Sequence, residues 1–579
     1  MPFQNTLSEI KENKLMLDKA TCSSLESNLE NYYLHARPEV LELVPISARR
    51  VLDVGCGAGG FSATLKSRQS VEIHGVELSP RAAETAKLHL DHVWNYSIED
   101  ALHEIPEEYY DCIVIADILE HLVDPGTVLA SLKRKLAQDG KIVASIPNIQ
   151  NWGIVSELIQ GRWDYCNEGI LDRTHLRFFT RKSVEELFWS AGFNINKISR
   201  TIHGPLPPRR LTKVLEAEGL SYEALEQDGQ TFQFLVEAKR AKNLVATPKV
   251  AVIILNWNGK DDTIECLNSV KEIDYLNYNI LVVDNGSNDD SLTSIKKLFP
   301  DVILIETGHN KGYAGGNNAG IRHALEIGAE YIILLNNDTI VDKLVIKSFI
   351  EASAIIDNPS IMGGKIYYYS HPDRLWYAGA RWLPSKLDFE HIGLGQKDDP
   401  AFDRFSRVDY VTGCLMFIPA EIFHQVGLLD EDFFLTYEET DWCYRAKKLG
   451  YESYYIPAAK IWHKVSVSFG GPESPIFEYF MARNRLLWAR KHLSLFSRIK
   501  LYREYFWIVK SRMIPSFVVA DASVPFLKRY VWSLASWLNA SKRYYQIPAN
   551  QAILRGIFDY LFGRFGNCPD SIRSLPRSS

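Results

Sequence analysis

A glycine-rich turn, Asp53-Val54-Gly55-Cys56-Gly57-Ala58-Gly59-Gly60, closes the apolar run RVLDVG and offers a place to bind rather than to pack. Glycines let a backbone turn sharply and approach a ligand, and a helix opening behind them supplies unpaired N–H groups. Glu77 ends the next apolar run, where an acid can hold ribose hydroxyls. Gly55, Gly57 and Gly60 also satisfy G-x-G-x-x-G, so this turn alone fits a nicotinamide enzyme too. Asp53 stands directly before the glycines, a poor neighbour for a pyrophosphate and a good one for an ammonium or a bound water. Further on, ADILEHLVDP gathers Asp117, Glu120 and His121. Such a group can deprotonate a hydroxyl or bind a metal, and a satisfied helix N-terminus explains it as well. His175, beside Asp172 and Arg173, is a candidate base for a sugar hydroxyl.

A second set of polar residues sits at the ends of later apolar runs. Asn256-Trp257-Asn258 ends one, Asp284-Asn285-Gly286-Ser287 another, and Asn336-Asn337-Asp338 a third. Between them, Asn310-Lys311-Gly312-Tyr313-Ala314-Gly315-Gly316-Asn317 reads as a polar loop opening a helix. Ligands of α/β sheets sit at the carboxyl ends of strands. A nucleoside diphosphate needs a base slot, an acid for uridine or ribose, and a cation on its phosphates. Mg²⁺ or Mn²⁺ takes few carboxylates plus phosphate oxygens and water.

The elements that must hold these residues alternate between strand and helix patterns. Strand-like runs at 50–55, 71–77, 111–117, 141–147 and 232–238 flank helical patterns at Pro80–Leu90 and Pro125–Leu136, which predicts a doubly wound parallel sheet. HGPLPPRR and AKNLVATPK are breaker-rich connections around a short helical insertion, and they place a boundary near residue 245. A second series follows at 250–258, 279–287, 302–307 and 331–338, with different turn chemistry and hence a new sheet. From about residue 495 the chain turns helical, aromatic and basic.

A chain of 579 residues exceeds one core, and 46% hydrophobic with 23% charged residues describes a globular protein. The net charge of −6, with no basic face or flipping-loop motif, speaks against nucleic acid as a partner. Eight cysteines stand singly, without C-x-x-C pairs, which predicts a reducing compartment. The first residues lack a signal-peptide core and no uncharged run reaches ~18 residues. The expectation is a cytoplasmic protein whose basic, aromatic end contacts the inner face of the cell membrane peripherally.

From about residue 30 to 200, LDVGCGAGG, Glu77, the LEHL segment and GILDRTHLRFFT resemble the class I S-adenosylmethionine-dependent methyltransferases, in particular the ubiquinone O-methyltransferase group. The resemblance implies that Asp53 and Gly55, Cys56, Gly57 and Gly59 hold the amino acid part of S-adenosylmethionine. Glu77 would hold its ribose, Glu99 or Asp100 would lie near the adenine, and Asp117 would join the donor site. Ser97 stands where relatives often place an acid. Residues 249–495 resemble family 2 glycosyltransferases of the GT-A fold, in the rhamnosyltransferase-like branch. This implies that Asn256, Asn258, Asp284, Gly312, Asn317, Asn337 and Asp338 bind the nucleotide sugar. Asn336-Asn337-Asp338 occupies the D-x-D position, so Asp338 carries the charge there, with His463 of the Trp462-His463 pair as second metal ligand. In Tyr437-Glu438-Glu439-Thr440-Asp441-Trp442 the base of an inverting transfer maps to Glu439, with Asp441 next in line.

Together these readings predict an α/β chain of two doubly wound domains with a helical C-terminal tail. The expected layout is an N-terminal helical extension at 1–30, a methyltransferase domain at 31–243, a glycosyltransferase domain at 248–495, and a helical region at 496–579. The expected activity is transfer of a sugar to a glycan or lipid-linked oligosaccharide, with O-methylation of a sugar hydroxyl, in surface polysaccharide assembly. The rival reading keeps the glycosyltransferase and makes the first domain a non-catalytic binding or docking module.

Overall fold

The structure, a computed structural model, describes residues 36–217, 222–241, 247–356, 358–465, 474–513 and 544–576. The expected N-terminal extension and the stretch 514–543 of the expected C-terminal region lie outside the described residues. The chain divides into two compact units, one essentially up to residue 242 and one from residue 243 onward.

The first unit is built on seven strands: β1 (Arg50–Val54), β2 (Glu72–Val76), β3 (His92–Trp94), β4 (Tyr110–Ala116), β5 (Leu136–Pro147), β6 (Phe193–Ile202) and β7 (Thr231–Arg240). Their order is β3-β2-β1-β4-β5-β7-β6. The first five pair in parallel, and β7 runs antiparallel to both β5 and β6. The sheet is therefore parallel only in part, with an antiparallel pair at one edge. The run at 232–238 is β7, but β6 escaped the sequence pattern because FNINKISRTI is mostly exposed or half-buried and has no apolar run. The central strands are apolar on both faces, and Leu52, Ile113, Ile142 and Val236 are fully buried. Each such side chain contributes about 1.5–3 kcal/mol when removed from water. Helix α1 (Gly60–Arg68) follows β1, α2 (Pro80–Ala86) is capped by Ser79, and α3 (Pro125–Lys133) is capped by Asp124. Both caps accept a backbone N–H that the first turn would otherwise leave unpaired.

The second unit carries β8 (Val250–Asn256), β9 (Tyr278–Asp284), β10 (Ile303–Glu306), β11 (Tyr331–Asn336), β12 (Thr339–Val341), β13 (Ile361–Tyr368), β14 (His371–Tyr377), β15 (Ala380–Leu383), β16 (Asp388–His391), β17 (Ser406–Val408), β18 (Leu415–Pro419) and β19 (Ser453–His463). The main sheet runs β10-β9-β8-β11-β18-β13-β19-β12, with β14 on β13 and β17 on β19. Its first four strands are parallel and end together, so Asn256, Asp284 and Asn336 share one edge. Beyond them the sheet is mixed, because β18 runs antiparallel to both β11 and β13. Helix α4 (Gly312–Glu326) absorbs most of the segment expected as a loop. Two later helices matter for the site: α5 (Glu438–Lys448) and α6 (Pro475–His492). Helix α7 (Pro548–Leu561) packs along α6, so the described part of the C-terminal region belongs to this unit's core. Among the described residues no helix is long and apolar enough to cross a membrane.

Candidate active sites

In the first unit the turn after β1 is held by backbone geometry that glycine alone supports. Gly55, Gly57 and Gly59 all have positive φ, and a Cβ on Gly55 would overlap the Ile118 side chain. The Gly55 and Cys56 N–H groups donate to Val76 O, which ties the turn to the end of β2. Glu77 spans the same gap: its Oε2 accepts from Gly57 N at 2.9 Å and its Oε1 from Ser79 N at 2.8 Å. A carboxylate has about four acceptor sites, so two remain for hydroxyls. Asp53 is buried and accepts from Ser62 Oγ at 2.8 Å. Burial pushes its carboxyl up to about 6, against the pull of the Ser62 hydrogen bond. A buried carboxylate raised in this way gains from a cationic partner.

The remaining expected donor residues fare differently. Cys56 is buried and its thiol is pushed up by desolvation, so it packs rather than reacts. Glu99 is exposed in the first turn of a short helix capped by Ser97. Asp117 has positive φ and is already engaged: Arg37 Nη1 lies 2.6 Å from its Oδ2, while Ser145 Oγ and Gln233 Nε2 donate to its Oδ1 at 2.7 and 2.9 Å. Sequence reasoning missed Arg37, since nothing in its neighbourhood marks a partner 80 residues away. His175 lies close to Glu120, with Nε2 3.9 Å from Oε1.

In the second unit a cavity of about 580 Å³ opens at the carboxyl edge of the parallel strands. Asn337, Asp338, His463, Gly312 and Glu439 all line it. Asp338 and His463 are buried, with His463 Nε2 3.2 Å from Asp338 Oδ1 and His463 Nδ1 without a partner. Burial alone would raise Asp338, but the His463 ring outweighs it and holds the carboxyl below its ordinary value. Two neighbouring ligands on an octahedral cation with bonds of about 2.1 Å stand about 3 Å apart. The pair therefore fits two positions of one divalent ion and leaves the others for phosphate and water.

Four of the expected nucleotide residues are not themselves part of the cavity's lining, although Asn256, Asn258 and Asp284 stand next to lining residues in the chain, and Asn258 is exposed. Asn256 Nδ2 donates to Asp284 Oδ1 and to Ser287 Oγ, both at 3.1 Å. Asn258 has positive φ, donates its N–H to Ser287 Oγ and accepts from Asn288 N. Asp284 Oδ2 accepts from Ser287 N, and buried Asn317 donates to Tyr313 O. The bonds among Asn256, Asn258, Asp284 and Ser287 tie together the loops at the ends of β8 and β9.

Glu439 opens α5 with Oε2 enclosed and unpartnered. Burial pushes its carboxyl up to about 7, opposed by backbone N–H groups of Glu439, Thr440 and Gly413. Glu438 beside it is buried, also has an unpartnered oxygen, and is raised by burial and by Glu439. Asp441 is different. Fully buried, it meets His492 Nε2 at 2.7 Å, Lys491 Nζ at 2.8 Å and Arg445 Nε at 2.8 Å. These partners outweigh its burial and hold the carboxyl down at about 2.

The loop before Glu438 is bent in an unusual way. Phe434, Thr436 and Tyr437 all have positive φ without being glycine, a conformation that costs about 1–3 kcal/mol per residue. Asn484 on α6 holds it, donating to Phe433 O, Leu435 O and Thr436 O at 2.8, 2.7 and 2.9 Å. Buried Arg483 adds Phe433 O at 2.8 Å and Asp432 O at 3.1 Å. Sequence reasoning missed both residues, although a polar Arg-Asn pair inside the apolar helix ARNRLLWA was a visible signal. On the donor side, Tyr313 N donates to Phe434 O at 2.7 Å, and a Cβ on Gly312 would overlap that carbonyl.

Comparison with known proteins matches two stretches of the sequence to family models. A methyltransferase domain model matches residues 25–198, and a glycosyl transferase family 2 model matches residues 251–427. The dTDP-rhamnosyl transferase RfbF of Shigella flexneri is 30% identical over 266 residues, covering 43% of this chain and 83% of that protein. The chain belongs to glycosyltransferase family 2. It also carries a methyltransferase domain ahead of the glycosyltransferase, and both are transferase domains. On the methyltransferase side, the ubiquinone biosynthesis O-methyltransferase of Psychrobacter arcticus is 25% identical over 198 residues, 32% of this chain and 74% of that protein. That of Xylella fastidiosa is 35% identical over 112 residues, only 44% of its length. Among solved structures, the mannosyltransferase PcManGT of Pyrobaculum calidifontis in complex with GDP-Man and Mn²⁺ aligns with 55% of this chain and 89% of its own, at 14% identity and a TM-score of 0.35.

Proposed function

We propose that the second unit transfers a sugar with inversion from a nucleotide-sugar donor to a hydroxyl of a glycan or lipid-linked oligosaccharide. The observation that supports this most is the pairing, in one cavity, of Asp338 and His463 with an enclosed carboxylate raised to about 7, Glu439. A base works best when its pKa is near the operating pH. In this reading Glu439 accepts the acceptor proton through Oε2, and backbone N–H groups at α5 orient the carboxylate. Asp338 and His463 would hold a divalent cation, Mg²⁺ or Mn²⁺, which when bound supplies charge neutralisation on the diphosphate. Asn337 would contact the donor, while Asn256, Asn258, Asp284 and Asn317 hold the loops that frame it. Asp441, engaged by Arg445, Lys491 and His492, is set aside as a base and kept as a structural hub. Glu439→Gln tests the assignment: transfer is lost while nucleotide binding, read by calorimetry, survives. Unchanged turnover in that variant removes Glu439 from the role.

For the first unit we propose S-adenosylmethionine as methyl donor. Asp53 would meet the donor's ammonium, the turn Gly55–Gly59 its carboxylate, and Glu77 its ribose, with Glu99 toward the adenine end. The methyl acceptor is a sugar hydroxyl, and the two activities serve one pathway of surface polysaccharide assembly. Support for peripheral contact with an anionic membrane comes from the start of the helix Leu495–Met513, where Leu495, Phe496 and Ile499 are exposed next to Arg498 and Lys500. Vesicle flotation of the full chain, compared with Phe496→Ser/Ile499→Ser, tests that contact. Equal flotation by both proteins, or by neither, removes it.

A further inference from the structure

Glu120 is a buried acid in the first unit to which the reading above gives no role. Its side chain is 1% exposed, and neither carboxylate oxygen has a hydrogen-bond partner. An isolated charge in such a place is costly unless a cation meets it. Two imidazoles face it. His121 and His175 stand with ring centroids 4.8 Å apart, and their ring nitrogens and the Glu120 carboxylate lie within 4.8 Å of one another. Both rings are oriented from behind: His175 Nδ1 lies 2.9 Å from Ile170 O, and His121 Nδ1 lies 3.2 Å from Thr174 O. A carbonyl only accepts, so each Nδ1 carries the proton and each Nε2 presents a lone pair. One ring nitrogen from each imidazole and one Glu120 oxygen thus gather in the same space, with His175 Nε2 3.9 Å from Glu120 Oε1. That donor set, with the rings fixed through their far nitrogens, is the arrangement metal-binding histidines use.

The backbone fixes the group as firmly as the side chains do. Leu176 N and Arg177 N both donate to Glu120 O, at 2.8 and 3.0 Å, so the loop bearing His175 is sewn to the turn bearing Glu120 and His121. Asp172 Oδ1 accepts from Thr174 N at 2.7 Å and holds the loop's own bend. The turn also adjoins the donor site, since Ile118 packs against Gly55.

We propose that Glu120, His121 and His175 bind one divalent transition-metal ion, Zn²⁺, Co²⁺ or Mn²⁺ in chemistry, and that its open position takes the oxygen of the hydroxyl to be methylated. Two imidazoles and one carboxylate are the ligand set of catalytic zinc and related sites that keep a fourth position open. The metal–donor bonds of about 2.0–2.2 Å in such sites require the three groups to draw together by side-chain rotation. The hydroxyl's role rests on the methyltransferase reading; the metal site does not. In the reaction the hydroxyl proton leaves to solvent and the oxygen lone pair forms the new O–CH₃ bond. The S–CH₃ bond breaks with its electron pair kept on sulfur, so the cationic sulfonium becomes a neutral thioether. His175, with Nε2 on the metal, then serves as a ligand and not as the base expected from sequence.

The test is equilibrium dialysis of the full chain against Co²⁺ or Zn²⁺, with bound metal counted per chain. Asp338→Asn serves as the background that removes the other unit's metal site. In that background Glu120→Gln and, separately, His121→Asn are each expected to weaken the remaining site at least tenfold, with secondary structure by circular dichroism unchanged. Cobalt bound to the background protein should show the visible absorption of a nitrogen-containing low-coordinate site, lost in both variants. Calorimetry with S-adenosylmethionine should give equal affinity in all three proteins, which separates failure of the metal site from failure of the donor site. Metal stoichiometry and affinity unchanged by both substitutions would overturn the proposal. So would a background protein that binds no metal.

Discussion

At the scale of single residues, the second unit separates two acids that the sequence places two positions apart. Glu439 is raised to about 7 by burial with one oxygen unpartnered, whereas Asp441 is held at about 2 by His492, Lys491 and Arg445. A base must be ionised, so glycosyl transfer should rise with pH through about 7, and a kcat/KM profile whose acid limb lies near the ordinary carboxylate value of ~4.3 would contradict this. Asp441→Asn should leave that limb in place. It should also destabilise the unit, because it removes the buried charge that Arg445 and Lys491 meet, and thermal melting of the variant reads this directly. The sign follows from linkage. A carboxyl depressed in the folded state stabilises above its unfolded value of ~3.9, and that stability is lost as pH falls through about 2. Asp53 runs the other way. Its carboxyl, raised to about 6, must ionise to meet an ammonium, so S-adenosylmethionine affinity should weaken as pH drops below about 6. Flat affinity across that range would remove Asp53 from the donor site.

At the scale of elements, the loop leading into the proposed base Glu439 is held by α6. Asn484 donates to three carbonyls of the loop whose Phe434, Thr436 and Tyr437 have positive φ. Asn484→Ala should let the loop relax, lowering kcat by about tenfold or more with nucleotide affinity unchanged, a split that mere loss of stability would not give. The sequence carried one half of this arrangement. Strand-end residues such as Asp338 and Asn337 were legible because apolar runs mark strands and ligands gather at their ends. Glu439 was reached through family resemblance. The clamp showed only as a polar Arg-Asn pair in an apolar helix; its target stayed hidden, since local patterning carries no record of contacts about fifty positions away. The same limit hid β6, β7's antiparallel pairing and the mixed half of the second sheet, where short strands such as β12 and β17 lack the length to declare a period.

At the scale of the whole chain, the residues of each proposed site fall within one of the two units. Neither borrows a described residue from the other for the contacts given above, so the activities should be separable by point substitution. Asp53→Ala should abolish methyl transfer and leave sugar transfer within about twofold of the parent. Asp338→Asn should do the reverse. Parallel assays with labelled methyl donor and labelled nucleotide sugar check both, and loss of both activities from either substitution would show that the units depend on each other.

The clamp on the loop before Glu439 also has a consequence for the order in which this enzyme is made. A ribosome has finished every strand of the nucleotide site, including Asn337 and Asp338, well before it reaches Asn484 and Arg483. Until those two residues emerge, the bent loop has Tyr313 N on Phe434 O and Asp388 on the Tyr437 hydroxyl, but lacks the five backbone-carbonyl contacts from α6. A nascent chain can thus acquire its donor fold early and stay catalytically silent until α6 docks. The same reasoning makes residue 427, where the family's sequence signature ends, a poor place to cut the gene. A fragment ending there lacks the base, the histidine of the cation pair and the clamp alike.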